Sequence, residues 1–467
     1  MNFKRLSFSC VLALAGLMAA NAGNVDVNAA RQAANDFVKQ NLATKGMLKA
    51  PAMADIKLAH TEKSSVEGNA YYVFNIQGGG WIIMAGDDRA KQVLAYGDKG
   101  NINMKDLPDN MKGYLKMYKN QIEEMQSYKG EVIPMKAPKC VTPVAPLTKA
   151  TWGQQEPMNR LCPMAANGSE RTSVGCGPLA MAQIMYYWKY PAETGELPGY
   201  SISWSNWMSS LPATTFDYNK MLDSYTIYNP ETGGVSLGTF TEEQANEVAK
   251  LCRYCGQACK ARYGNYGDTS TGTYTYDQRD AFYTMGYSTD AKLVSIVAGY
   301  YTWNTTNYTE EEWKALISEQ LEAGRPIPYH NSDMDMGHAW VLDGVDADGK
   351  FHMNWGWFER YNGWFEYGAF NVVVNGEEWN FNGIGNEMII DLYPYEGYVI
   401  PGGGDEPEVM TGDVNGDNNV TIADVTALID LLLAGDAIDN KAADVNGDQN
   451  VSIADVTALI DMLLSQN

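Results

Sequence analysis

TSVGCGPLAMAQIMYYWKYP, residues 172–191, is the stretch on which the fold turns. From Pro178 to Trp188 the residues are apolar on almost every side, the pattern of a helix buried in a core rather than one lying on a surface. Gly175 and Gly177 flank Cys176, Pro178 suits a first helical turn, and Pro191 ends the run. The spacing therefore predicts a helix that begins at Cys176. Unpaired backbone N–H groups and the positive end of the helix dipole favour a thiolate there over a thiol. A small cysteine in a core helix is the plain alternative; the helix-start placement, the two glycines and a distant histidine favour a nucleophile.

A thiolate nucleophile needs a base, and the base must be oriented. The chain has four histidines: His60, His330, His338 and His352. His338 opens the strand-like HAWVLDG (338–344) after Gly337, and the turn residues Asp346 to Lys350 fold the chain back into FHMNWGWF (351–358). That pairing is expected to bring Asn354 roughly opposite His338, so that its oxygen accepts the proton of one ring nitrogen and leaves the other facing the thiol. Trp355 would cover that hydrogen bond from water. His352 reads as structural and His330 as loop or rim. Acyl transfer also needs oxyanion donors. The Cys176 N–H supplies one, and the side-chain amide of Gln154, in the turn-rich WGQQEPMNRLCP (152–163), is a candidate for the second beside the equally polar Gln155.

Outward from this centre, a length of 467 residues predicts about three domains, and a net charge of −23 argues against nucleic acid or an anionic membrane surface as partner. Lys4 and Arg5, an apolar run from about Phe8 to Ala19 and the small-x-small Ala20-Asn21-Ala22 read as an export signal over residues 1–22, so a secreted, soluble protein is expected. Cys10 leaves with it. Six cysteines remain, and setting Cys176 aside leaves the odd set Cys140, Cys162, Cys252, Cys255 and Cys259, which disfavours a complete disulfide framework. Cys252, Cys255 and Cys259 lack a nearby fourth ligand, making a weak zinc signal; core packing on a helix ending at Gly256 is the better reading, with a disulfide to Cys140 or Cys162 left open.

Residues 23–139 read as a small α+β unit. A helix follows Ala30, Ala33, Ala34, Phe37 and Leu42 with Gly46 as a stop. AYYVFNIQ (70–77) and WIIMAG (81–86) form a hairpin, and Met111, Leu115, Tyr118, Ile122 and Met125 mark a second helix. Its place between an export signal and a nucleophile domain suggests a pro-segment. A proline-punctuated bridge leads to a central region at 140–395, followed by a Pro/Gly/acidic linker at 396–409. From Met410 to Asn467 there are ten Asp and one Lys, a net of −9, and the sequence repeats: DVNGDNNVTIADVTALIDLLL from Asp413 recurs from Asp444. Asp413, Asn415, Asp417, Asn419 (through its carbonyl), Thr421 and Asp424 occupy positions 1, 3, 5, 7, 9 and 12 of one loop; Asp444, Asn446, Asp448, Asn450, Ser452 and Asp455 occupy those of the other. Oxygen ligands at alternate positions of a 12-residue loop ahead of a helix predict two structural calcium ions. No cofactor is expected at the cysteine.

WGQQEPMN, VGCGPLAMAQIMYYWKYP, GHAWVLDG and HMNWGW, in that order, resemble the signature segments of the streptopain-like cysteine peptidases, and WIIMAGDDRAKQVLAYG resembles their inhibitory pro-segment. The resemblance spans roughly residues 25–395 and implies a papain-like fold in a secreted endopeptidase. It also implies Cys176 as nucleophile, His338 as base, Gln154 as oxyanion donor, and Asn354 with Trp355 supporting the histidine. The chain departs from that pattern after Trp357, where Phe358-Glu359-Arg360 stands in place of glycines. The repeats resemble a dockerin module, which implies a cohesin-like partner, although Ile422-Ala423 and Ile453-Ala454 stand where Ser or Thr is usual. The expected architecture is α+β: a papain-like peptidase preceded by a small α+β pro-domain and followed by an all-α calcium-loop module. Two alternatives are a catalytically idle peptide-binding relative and a Cys-His acyltransferase.

Overall fold

The computed structural model describes the chain apart from residues 1–22, 44–47, 131, 135–141, 167, 204–205, 265–268, 289, 296–307, 333–336, 370–371, 375–376, 379–384, 396–410, 413, 415–419, 435–440, 447–450 and 466–467. It divides into two compact units, Met1–Glu396 and Gly397–Asn467. The export signal, the stop at Gly46, Cys140 and the linker lie outside the described residues.

The first unit is built on one ten-stranded antiparallel sheet. Its strands are β1 (Ile56–Lys63), β2 (Asn69–Ile76), β3 (Trp81–Ala85), β4 (Val93–Gly97), β5 (Lys292–Ser295), β6 (Ile327–Ser332), β7 (Gly337–Val345), β8 (Phe351–Asn354), β9 (Gly363–Phe365) and β10 (Gly385–Ile390). The spatial order is β1-β2-β3-β4-β9-β8-β7-β6-β10-β5. Residues 23–139, read from sequence as a unit of their own, thus continue the sheet of the central region through Trp364 opposite Tyr96 and Phe365 opposite Ala95.

Period-two alternation decides which helix covers which face. Tyr72, Phe74, Ile82 and Met84 face α1 (Val27–Phe37), whose Ala30 and Ala34 pack on them. Tyr71, Val73, Trp81 and Ile83 face α2 (Asp109–Ser127), and there the core does not stop at the end of the N-terminal region. Tyr114 of α2 meets Trp340, Trp355 and Phe365 edge-on, with ring centroids 6.2, 6.0 and 5.8 Å apart. Trp313, Ile317 and Leu321 of α6 (Glu310–Glu322) complete the same core. The opposite core packs α3 (Cys176–Trp188), α4 (Glu242–Ala258) and α5 (Thr275–Thr284). Capping boxes start α4 at Thr241 with Gln244 and α6 at Thr309 with Glu312, each satisfying backbone donors that a first turn leaves free. α4 runs two residues past Gly256, and its cysteines are core residues: Cys255 Sγ is 3.4 Å from Met185 Sδ and Cys259 Sγ 3.6 Å from Met181 Sδ. Cys162, Cys176, Cys252, Cys255 and Cys259 are all free thiols. Among the described residues, no helix is long and apolar enough to cross a membrane.

A buried charge cluster ties residues 23–139 to the central region. Lys91 Nζ lies 2.8 Å from Glu366 Oε2, and Lys350 Nζ lies 3.1 Å from Glu366 Oε1. Lys314 and Glu310 pair beside them. Burial would raise the Glu366 carboxyl, but the Lys91 and Lys350 ammonium groups outweigh it and hold it below the usual carboxylate range. Its stabilising contribution is therefore complete above the ordinary Glu range and is lost as pH falls through the lowered folded value. Glu366→Gln leaves two buried ammonium groups short of a counter-charge and should cost the full-length chain about 3 kcal/mol at neutral pH. Calorimetry from pH 7 downward should show the gap between wild type and variant closing in acid. A constant gap would show that the carboxylate charge is not what holds the cluster.

Candidate active site and candidate calcium loops

Cys176 is the first residue of α3, capped by Gly175 at φ 93°. A Cβ at Gly175 would strain that left-handed backbone and sit 2.9 Å from Thr271 Cγ2, so glycine is required for the chain to enter the helix at this angle. The thiol is half-buried. Burial raises its pKa; the His338 imidazole hydrogen-bonded to it, and the N–H groups of Ala339 and Gly177, outweigh burial and hold it below the ordinary thiol range. His338, the second residue of β7, reaches the head of α3 because β7 packs along that helix. The cysteine and histidine singled out in the sequence, 162 positions apart, thus share one hydrogen bond.

Gln154 is tied to the segment that enters α3: its carbonyl accepts from Val174 N at 3.0 Å, and neighbouring Gly153 bridges Trp357. Asn354 sits differently from the expectation. The turn closes directly at Val345 and Phe351, so Asn354 pairs with Val341, while His338 pairs with Asn331 of β6. The Asn354 amide donates to Ala150 O at 2.8 Å, and its oxygen accepts from Gly356 N at 3.3 Å. It therefore fixes the segment ahead of Gln154 and the turn after β8. Trp355 is buried, donating from Nε1 to Tyr361 O at 3.0 Å and packing 4.9 Å from Trp340.

The other histidines are turned elsewhere. His352 Nδ1 bonds Asp343 Oδ1 at 2.6 Å, a structural pair. His330 is a correction to the sequence reading: it is a buried residue of β6 rather than loop or rim. Its Nε2 meets Gln278 Oε1 at 2.6 Å, and burial pushes its pKa down to about 3, so it is neutral and donates. Gln278 passes the link on, donating to Gly177 O at 2.7 Å in the first turn of α3. Gln278 had no sequence signal, since a lone Gln in a Tyr-rich stretch has no periodic or motif context.

In the second unit, α7 (Ile422–Ala434) and α8 (Ile453–Ser465) share a small core of Val414, Val425, Leu428, Ala443, Val456 and Leu459. Asp413, Asn415, Asp417, Asn419, Asp448 and Asn450 lie outside the described residues; Thr421, Asp424, Asp444, Asn446, Ser452 and Asp455 lie within them. Asp424 Oδ2 accepts from Thr421 N at 2.8 Å. Asp455 accepts from Ser452 N at 2.8 Å and Asn446 N at 3.1 Å, drawing positions 3, 9 and 12 of its loop together. Both carboxylates are fully shielded. Buried, inward-folded acceptors on a loop of oxygen donors fit a hard divalent cation.

The peptidase C10 family matches residues 152–365, the Spi protease inhibitor family residues 22–122, and the dockerin type I domain residues 411–464. A thiol protease/hemagglutinin of Porphyromonas gingivalis, PrtT, is 28% identical over 386 residues, which cover 79% of this chain and 41% of that protein. The chain thus spans less than half of that relative. Streptopain of Streptococcus pyogenes is 25% identical over 421 residues, covering 83% of this chain and 99% of its own. A solved fragment of prointerpain A from Prevotella intermedia is 26% identical, covers 71% of this chain and 98% of itself, and superposes with a TM-score of 0.55. Signature segments, fold and relatives agree: residues 152–365 form a domain of the peptidase C10 family, the streptopain-like cysteine peptidases, and the chain also carries a Spi-type pro-domain and a dockerin domain.

Proposed function

We propose that this chain is the secreted precursor of a cysteine endopeptidase. The observation that carries the reading is the hydrogen bond between Cys176 and His338 at the head of α3. The Cys176 thiolate attacks the peptide carbonyl, and the Cys176 N–H with the Gln154 amide holds the oxyanion. His338 gives its proton to the leaving amine, and the acyl group stays on sulfur. His338 then takes a proton from water, whose oxygen attacks the thioester, releasing the carboxylic acid and the thiolate. Asn354 and Trp355 act as positioning residues, through Ala150, Gly356 and the Trp340 ring. The pro-region silences the site by the shared sheet and core, and removal of residues up to a point between about 125 and 150 frees it.

The C-terminal module binds two calcium ions through the twelve loop residues named above and attaches the enzyme to a cohesin-like partner. Ile422 and Ile453, each 72% exposed at equivalent places of the repeat, give that contact an apolar character. Purified precursor, incubated with a mild reductant and run on a casein gel, should clear a band and acquire a new N-terminus in the 125–150 interval. Iodoacetamide should prevent both. Clearing that persists after full alkylation would assign the activity to something other than this thiol.

A further inference from the structure

The turn that follows β8 is held in an unusual state. Phe358, Glu359 and Tyr361 all have left-handed backbone, with φ of 56°, 69° and 64°. Side-chain-bearing residues avoid that region, and runs of them persist where the surroundings hold them for a purpose. This turn adjoins the catalytic machinery: Phe358 N donates to Trp152 O at 3.3 Å, alongside the Gln154 segment, and its root is Asn354 on the strand paired with that of His338. It therefore flanks the cleft beside the residue that protonates the departing amine.

In the precursor one stretch of the pro-region lies along this turn. Lys99 Nζ is paired with Glu359 Oε1. Gly100 N donates to Pro230 O at 2.5 Å, and a Cβ on Gly100 would be 2.0 Å from the Tyr228 hydroxyl, so only a glycine lets the backbone run under that ring. Further on, Tyr361 OH donates to Asp106 O at 3.4 Å, and Asn110 Nδ2 to Trp355 O at 3.2 Å. Pro230 and Tyr228 belong to a hairpin, Thr226–Tyr228 with Val235–Leu237, that faces the turn. The neighbouring cation does not cancel Glu359: Arg360 is turned to Tyr361, its Nη2 2.9 Å from the hydroxyl and its guanidinium 5.1 Å from the ring centre.

We propose that Glu359, walled by Tyr228, selects a lysine or arginine on the leaving-group side of the substrate, and that Lys99 fills this place in the precursor. The aliphatic stem lies against the phenol ring and the cationic head pairs with the carboxylate. Once the pro-region leaves, the strained turn keeps the carboxylate presented and unpaired. This inference rests on the peptidase reading above.

The test uses mature enzyme and a casein-derived peptide that it cuts, made with Lys, norleucine or Glu at the two positions after the cut. The Lys form should exceed norleucine about tenfold in kcat/KM, with Glu slowest. Glu359→Gln should bring the Lys-to-norleucine ratio to about one, and Glu359→Lys should favour the Glu peptide. Equal rates for the three peptides with the wild-type enzyme would overturn the inference and leave the peptidase reading standing. So would a Lys preference that survives Glu359→Gln. A mature chain that cuts no casein-derived peptide at all overturns the peptidase reading, and this inference with it.

Discussion

Exchanging Cys176 for alanine is expected to reduce kcat/KM on denatured casein by on the order of 10⁴-fold or more, and His338→Ala by a comparable factor. The two losses should not multiply. A thiolate without its imidazole cannot protonate the leaving amine, and an imidazole without the sulfur has nothing to activate. The double variant should therefore be about as slow as either single one. The thiol itself reports the coupling. Burial works against the thiolate at Cys176, and the hydrogen bond from His338 reverses that balance. His338→Ala removes the stabilising partner and keeps the burial, so the pH midpoint for alkylation by iodoacetamide should move upward, to the ordinary thiol value or beyond. Below that midpoint the variant should alkylate more slowly than wild type; well above it the two should converge. Casein cleavage by the Cys176→Ala protein at the wild-type rate would end this account. Unchanged alkylation profiles would remove His338 from it.

The parts of this site that were readable in sequence are those fixed by local constraint. Gly175, Cys176 and Pro178 announce the helix start whatever surrounds them, and Gly337 before His338 marks a strand entering a cleft. Register was harder, because it depends on where a turn closes. Val345 pairs with Phe351 immediately, and a shift between Leu342 and Gly344 follows, so Asn354 meets Val341 instead of His338. The union of pro-region and peptidase in one sheet was also hidden. The run without a charged residue in β4 shows that it has two buried faces, but nothing local names β9 as the strand on its free edge. His330 reads as loop or rim in sequence for a related reason. The approach to it contains Pro326 and Pro328, which suggests a loop, yet Pro328 lies within β6 and the strand continues through it. Gln278 became visible only when tertiary packing brought His330 and Gly177 to its two amide atoms.

Removing calcium should unfold the second unit and leave the first standing. Among the described residues, the core shared by α7 and α8 has six buried aliphatic side chains and a rim of partly buried ones, too little apolar surface to offset the ordering of two helices and two loops. Ten aspartates lie within residues 410–467, and two of them, Asp424 and Asp455, are fully shielded. Without a cation those carboxylates keep backbone N–H and Thr421 and Ser452 hydroxyl donors, while the loop oxygens repel one another. With calcium at 100 times its dissociation constant, binding adds about 2.7 kcal/mol of stability per site. The experiment is best done on full-length Cys176→Ala protein, which cannot digest itself. In EGTA, helical circular dichroism should fall by the share of α7 and α8, and trypsin should open the chain at Lys441; millimolar calcium should reverse the first change and block the second. Calorimetric titration should count two ions. Asp455→Ala should lower the count to one and leave the melting of the first unit where it was. An EGTA-treated chain that stays helical and trypsin-resistant beyond residue 410 would show that this small core folds unaided, and calcium would lose its structural role.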